Sequence, residues 1–82
     1  MDMTERERER TVGRAEDLGA AIAEQRRRLG LSRDELAQWV GSNGTYVGRL
    51  ERGETVKRMM ALFETLDVLG LELVVRPKGY RQ

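Results

Sequence analysis

Apolar residues recur every three or four positions along most of this chain, which is the spacing of amphipathic helices. The pattern predicts a first helix over about residues 15–29, and three arginines at 26–28 close it, the charge order that the helix dipole favours. Gly30 supplies the stop. The three arginines fit a solvated helix end and a phosphate contact equally well. The apolar face of this helix consists of Leu18, Ala21, Ile22 and Leu29.

A short second helix follows, and its start is the sharpest local signal in the chain. Ser32 and Glu35 have the spacing of a capping box, in which each side chain accepts a hydrogen bond from the other residue's amide. Gly41 is expected to take the left-handed conformation that ends the helix. We predict that Leu36, Ala37 and Val40 form its buried face, and that Trp39 is partly buried against a neighbouring helix or a partner chain.

A third helix is predicted from Asn43 to a stop at Gly53. Asn43-Gly44 could form a hairpin turn, but Val47 and Leu50 are three residues apart and no strand flanks the turn, so Asn43 is interpreted as the N-cap. Together, residues 31 to 53 have the arrangement of a helix-turn-helix.

The pattern changes once more near the end of the chain. A fourth helix runs through Gly70, with Val56, Met59, Leu62, Phe63, Leu66 and Leu69 as its apolar stripe. After Gly70 the period becomes two, which predicts a strand that ends at Pro77. We find no second strand in the sequence. Because an unpaired strand is unstable, we expect this one to pair with another molecule.

The division of the chain follows from these elements. Residues 1–13 alternate Glu and Arg without an apolar face, and we expect a flexible N-terminal arm. Residues 14–70 form the helix-turn-helix domain, residues 71–77 the dimerisation strand and residues 78–82 a tail. The predicted fold is mainly all-α, with four to five helices and one C-terminal β-strand that pairs across a dimer.

The amino-acid composition excludes several classes of function. The chain lacks Cys and His, which excludes disulfides, thiolate or His-based zinc sites and His acid/base catalysis, so we expect no cofactor and no metal. The adjacent carboxylates of Asp34 and Glu35 are explained by the helix start, and an enzyme is not expected. No apolar run could cross a bilayer, and the N-terminus has no signal-peptide pattern, so a cytoplasmic, nucleoid-associated protein without membrane contact is expected.

Charge distribution is more informative than the net charge of +1. Residues 41–60 carry four basic residues and two acidic ones, so a positive excess surrounds the third helix. This is where a DNA-binding protein would neutralise phosphates.

The segment from Leu31 to Gly53 resembles, without a gap, the helix-turn-helix of the phage-repressor (Xre/Cro) family. That family usually reads Leu-Thr-Gln-x-x-Leu-Ala, then Gly-Val-Ser, then a short helix closing on Ile-Glu-x-Gly. The tail LDVLGLELVVRPK resembles HipB-type antitoxins, in which one strand after the repressor domain pairs across the dimer axis. The resemblance implies a lambda-repressor-like bundle and DNA binding.

The resemblance also assigns site residues. Arg33 lies where the family usually has Gln, beside the sugar-phosphate backbone, and Asn43 lies at the family's Ser cap. Thr45, Tyr46 and Arg49 take outward positions that usually face base edges, and their hydroxyl and guanidinium groups suit base contacts. Arg52 and Lys57 are candidate phosphate contacts. Gly44, Gly48 and Ser42 depart from the pattern, and the two glycines are expected to weaken the helix or to let the backbone approach phosphates. The full DNA-binding set is Arg33, Ser42, Asn43, Gly44, Thr45, Tyr46, Arg49, Arg52 and Lys57, and the dimerisation set is Leu71, Leu73, Val74 and Val75.

Two functions remain open from the sequence. The first is a dimeric, sequence-specific repressor that binds a palindromic operator in double-stranded DNA, as the antitoxin of a HipA-like kinase toxin whose operon it autoregulates. The alternative is a standalone Xre-family transcriptional regulator without a toxin partner.

Overall fold

The computed structural model describes residues 9–54 and 57–78. In chain order these contain β1 (Arg10–Val12), α1 (Ala15–Arg28), α2 (Arg33–Trp39), α3 (Gly44–Glu51), α4 (Lys57–Leu69) and β2 (Leu73–Val75). The mainly helical fold with four helices is therefore confirmed. Val56, the first residue of the predicted apolar stripe, lies outside the described residues.

The helix boundaries follow the predicted signals. Ser32 Oγ accepts a hydrogen bond from the Glu35 amide at 3.0 Å, and Glu35 Oε1 accepts one from the Ser32 amide at 2.8 Å. Asn43 Oδ1 accepts from the Tyr46 amide at 2.9 Å. Each cap satisfies an amide that the helix itself cannot pair. The capping box and the N-cap are confirmed.

The strand prediction is wrong in one respect, because β2 finds its partner within the chain. β1 and β2 form a two-stranded antiparallel sheet in which Val12 lies opposite Leu73. Val12 is only 2% exposed and is one of the most buried side chains of the described residues. Residues 10–12 of the predicted flexible arm are therefore a strand, whose Thr11 and Val12 are β-branched and suit a pleated backbone. Residues 1–8 of that arm lie outside the described residues.

The core is small and lies where α1, α3 and the sheet meet. Its apolar members are mostly small side chains: Val12, Ala21, Ala23, Ala37, Val47 and Phe63. Gly19 brings two helices into direct contact, since a Cβ at this position would lie 2.5 Å from the carbonyl oxygens of Leu50 and Glu51. The backbone of α1 therefore packs against the last turn of α3 with no side chain between them.

Three predicted burials are not observed within the chain. Leu29 and Val40 are exposed, because each is the C-cap residue of its helix and the following glycine, Gly30 or Gly41, turns the chain away at positive φ. Trp39 is 82% exposed and does not pack against a neighbouring helix. The predicted left-handed conformation of Gly41, with φ of 68°, is confirmed.

Candidate nucleic-acid interface

The third helix presents one face to the core and the other to solvent. Val47 is 1% exposed and anchors the inner side. Thr45, Tyr46 and Arg49 are exposed, as the predicted outward positions require. Hydroxyl groups and a guanidinium along one exposed face can donate to base edges or to phosphates.

A buried carboxylate joins the three helices of the motif. Glu51, at the end of α3, has a side chain only 3% exposed. Its Oε2 accepts from Arg26 Nε at 2.6 Å and its Oε1 from Arg33 Nε at 3.0 Å. Arg26 also donates to the carbonyl of Leu31 at 2.8 Å, so its guanidinium links the end of α1 to the loop before α2.

This arrangement changes the acidity of Glu51. The hydrogen bond from Arg26, supported by Arg33, holds the pKa of the Glu51 carboxyl below its ordinary value. The ionised form is therefore favoured, and Glu51 keeps two guanidinium groups in place. Sequence reasoning missed this cluster, although the Glu of the Ile-Glu-x-Gly pattern is the signal that could have found it.

Arg33 begins α2, where the resemblance places a contact to the sugar-phosphate backbone. Only its Nε is held by Glu51, and its terminal nitrogens donate to no residue of the described part of the chain. The side chain is about half exposed, with 51% of its surface open. Its free donors therefore point away from the buried carboxylate.

The carboxylates of Asp34 and Glu35 have structural roles. Glu35 completes the capping box, and the hydrogen bonds from Ser32 lower the pKa of its carboxyl. Asp34 lies against Gly44, where an added Cβ would overlap its carboxylate. A side chain at position 44 would thus require Asp34 to turn aside.

The two glycines of α3 are not equivalent. Gly44 is the first residue of the helix, so only Gly48 occupies an interior position. The expectation of two interior glycines is therefore wrong. Gly48 is buried, and the described atom nearest to an added Cβ is Arg52 Nη1 at 3.3 Å. Arg52 thus covers Gly48 from one turn further along.

The remaining predicted contacts surround the end of α3 and the turn before it. Arg52 Nε donates to Glu54 at 2.6 Å, and the hydrogen bond lowers the pKa of the Glu54 carboxyl. Lys57 is the exposed first residue of α4. Ser42 is exposed in the turn, and its amide donates to the carbonyl of Ala37 at 2.8 Å.

A shallow groove runs between the start of α2 and the outer side of α3. Arginines from three elements meet in it, together with two hydroxyl groups and a single carboxylate. Its lining consists of Arg26, Ser32, Arg33, Asp34, Gly44, Thr45, Gly48 and Arg52. Glu51 and Glu54 hold these arginines at Nε, so the groove offers an anion charge-assisted hydrogen-bond donors rather than a net positive charge.

The predicted dimerisation residues separate into two groups. Leu73 and Val75 are half-buried on the inner side of β2, whereas Leu71 and Val74 are exposed. On α4, Leu62, Val68 and Leu69 are also exposed, and Val68 reaches 86%. The described residues therefore carry an apolar surface, which we call the α4–β2 surface: Leu62, Val68, Leu69, Leu71 and Val74.

Two other classes of site are absent from the described residues. No group of three or more carboxylates lies close enough to hold a metal ion in that part of the chain. Within residues 9–54 and 57–78, no helix combines the length and apolar character needed to span a membrane.

Comparison with known proteins gives one match. A family model described as a helix-turn-helix domain covers residues 17–78, from the first turn of α1 through β2. Searches of curated proteins and of solved structures found no significant match. A match of this extent implies DNA binding, and the family is one of DNA-binding domains rather than enzymes.

Proposed function

Because the chain belongs to the helix-turn-helix domain family, we propose that it is a dimeric transcriptional repressor whose α3 reads a palindromic operator in double-stranded DNA. The observation that carries the proposal is the orientation of α3. Val47 fixes its inner side, and Thr45, Tyr46 and Arg49 are left open along the outer side. In this class of motif the corresponding helix lies in the major groove.

Two contact types are assigned to this face. Arg49 is proposed to read a base, since a guanidinium can donate to both acceptors of guanine. Arg33, Arg52 and Lys57 are proposed to contact phosphates, which set the register of the protein on the duplex without reading sequence.

The test begins with an operator selected from random duplex sequences. Replacing Arg49 with Ala should cost about 1–3 kcal/mol of binding free energy on that operator and relax selectivity at one base pair. Replacing Lys57 with Ala should weaken binding to all sequences alike. If Arg49→Ala binds the operator as the unmodified protein does, the proposed orientation of α3 is wrong. Binding that does not weaken as salt rises would contradict the proposal as a whole.

The dimer is proposed to form through the α4–β2 surface. The sequence pattern predicts that β2 pairs with a strand of another molecule, but β1 of the same chain already pairs with it. Exposed apolar side chains of α4 and at β2 remain to be covered, and contact with a second copy related by a two-fold axis would cover such side chains on both copies at once. Two such copies would present their α3 helices about 34 Å apart, one turn of DNA.

A second candidate function is that of an antitoxin that binds a toxin, and it is based on the exposed side chain of Trp39. This side chain and Val40 form an exposed apolar pair at the end of α2, on a different element from the α4–β2 surface. Trp is enriched among the residues that dominate protein interfaces. We propose that a protein such as a HipA-like kinase toxin binds here. The test is co-purification with the untagged neighbouring gene product: loss of the complex on Trp39→Ala would support this candidate, and a neighbouring product that never binds would leave the standalone regulator.

A further inference from the structure

We infer that Gly48 is a positioning residue, whose missing side chain lets Arg52 lie back over α3 and, together with Arg33, clasp one DNA phosphate in the groove between α2 and α3. The inference rests on the proposed DNA binding and adds to it a place for the phosphate and a reason for a glycine within the recognition helix.

The first step concerns the path of Arg52. Its Nη1 lies 3.3 Å from the position that a Cβ of Gly48 would take, and no other described atom outside the local helix backbone lies within 4 Å of that position. Gly48 is nevertheless buried, so the guanidinium itself covers it. A side chain at position 48 would be in unusually tight contact with Arg52 Nη1, so the guanidinium would have to move away from its present place on α3.

The second step is a likeness between two arginines on opposite sides of the groove. Arg33 is held at Nε by Glu51, and Arg52 is held at Nε by Glu54. In both, the terminal nitrogens donate to no residue that the structure describes. Each carboxylate thus orients a guanidinium and leaves its outer donors available, the arrangement that bidentate phosphate binding requires.

The third step is the chemistry between them. Both arginines line the same groove, which also contains the hydroxyl groups of Ser32 and Thr45. Ser32 Oγ accepts from the Glu35 amide, and its hydroxyl also hydrogen-bonds to the Glu35 carboxyl, so the exposed hydroxyl of Thr45 is the one placed to donate outward. A phosphate oxygen accepts such a hydrogen bond, together with charge-assisted hydrogen bonds from the two guanidinium groups.

The experiment measures the affinity of the full chain for mixed-sequence duplex DNA by fluorescence anisotropy over a series of salt concentrations. Mixed sequence is used because a phosphate contact carries no sequence information. Gly48→Ala should weaken binding about threefold and Gly48→Leu about tenfold, and Arg52→Ala should reduce the slope of log affinity against log salt by about one unit. Arg14→Ala removes one positive charge outside the groove and serves as the matched control.

The double substitutions identify the route of the effect. If Gly48 acts through Arg52, then Gly48→Ala should change affinity in the unmodified chain and leave it unchanged in the Arg52→Ala chain. Thermal melting should show that Gly48→Ala raises the melting temperature, since Ala favours a helix more than Gly does. Weaker binding by a more stable protein cannot result from unfolding, and the Ala variant carries the test should Gly48→Leu fail to fold.

The contrary outcomes are distinct. An equal loss from Gly48→Ala in both backgrounds would mean that the DNA backbone approaches Gly48 itself, and would overturn the positioning role. Unchanged affinity of Gly48→Ala would overturn it as well. If Arg52→Ala binds like the unmodified chain while Arg49→Ala loses affinity for the operator, the phosphate clasp fails and the proposed function stands. If the unmodified chain binds no duplex DNA, the proposed function fails.

Discussion

The helices α1 to α3 and the region of α4 and β2 differ in how many of their side chains find contacts within the chain. In the first region a buried carboxylate holds two arginines from neighbouring elements, both short helices are capped, and backbones touch at Gly19. In the second region α4 contributes one fully buried residue, Phe63, and leaves several large apolar side chains open.

The difference indicates how each region is completed. Polar groups of the helix-turn-helix find their partners within one chain, so this region needs nothing further to hold its shape. The α4–β2 surface exposes apolar area that a single copy cannot cover, and its natural complement is another protein surface. The proposed DNA-reading surface and the proposed dimer surface therefore lie on separate elements.

The strongest test of this contrast removes the buried carboxylate. Glu51→Gln should lower the free energy of unfolding by about 3 kcal/mol, because the neutral amide leaves the charge of Arg26, whose side chain is only 11% exposed, without its partner. Urea denaturation followed by circular dichroism measures the loss.

Glu24→Gln is the matched control for this test. Glu24 also pairs with two arginines, Arg10 and Arg28, but its side chain is 39% exposed. We expect a much smaller loss than at Glu51, because solvent screens exposed ion pairs. Equal losses at both positions would show that burial of Glu51 does not distinguish the helix-turn-helix from the rest of the molecule.

A substitution on the other region should affect assembly and leave the fold intact. Val68→Lys places a charge at the most exposed large apolar side chain of α4 and should raise the dimer dissociation constant at least about tenfold, because an unpaired charge would be buried at the proposed interface. Sedimentation velocity measures the shift toward monomer. Asp67→Lys, at a neighbouring exposed position of α4, is the control. A Val68→Lys chain that stays dimeric at all concentrations would place the interface elsewhere.

A smaller effect is expected at the N-cap of α3. Asn43→Ala removes the oxygen that accepts from the Tyr46 amide and should cost about 1 kcal/mol of stability. Thermal denaturation measures it. Asn43→Ser keeps a capping oxygen and should recover most of the loss, and a variant pair of equal stability would argue against capping as the reason for Asn at this position.

The last prediction concerns a change in stability that appears only at acid pH. Because hydrogen bonds from Arg26 and Arg33 lower the pKa of Glu51 in the folded chain, its contribution to stability is complete above the ordinary value of 4.5 and is lost as pH falls through the folded value. Unfolding measured across this range should show a steeper acid limb for the unmodified chain than for Glu51→Gln. Matching acid limbs would exclude Glu51 as the source.

Most elements of the fold could be predicted from local sequence signals, whereas pairings between residues far apart in the sequence could not. The caps at Ser32 and Asn43 and the stop at Gly41 depend on residues within one turn, so sequence spacing was sufficient. β1 was missed because three residues, of which only Val12 is apolar, are too short to display a period.

The candidate site shows the same limit. The exposure of Thr45, Tyr46 and Arg49 could be predicted from helical spacing around Val47. The attachment of Arg33 to Glu51 could not, because 18 residues separate them and the contact depends on how α2 and α3 cross. The prediction that Val40 is buried was wrong for a related reason. The burial of a side chain at the end of a helix depends on the direction that the next segment takes.

The direct contact at Gly19 has a consequence for how this protein can change. At this contact the backbone of α1 packs directly on the backbone of α3, and no side chain lies between them that could adopt another rotamer. Substitutions in the surrounding core should therefore change the tilt of α3 little. Residues at positions 45, 46 and 49 can then be exchanged while the docking angle stays the same. If α3 reads DNA as proposed, single replacements at these positions would change operator preference without changing the arrangement of the helices.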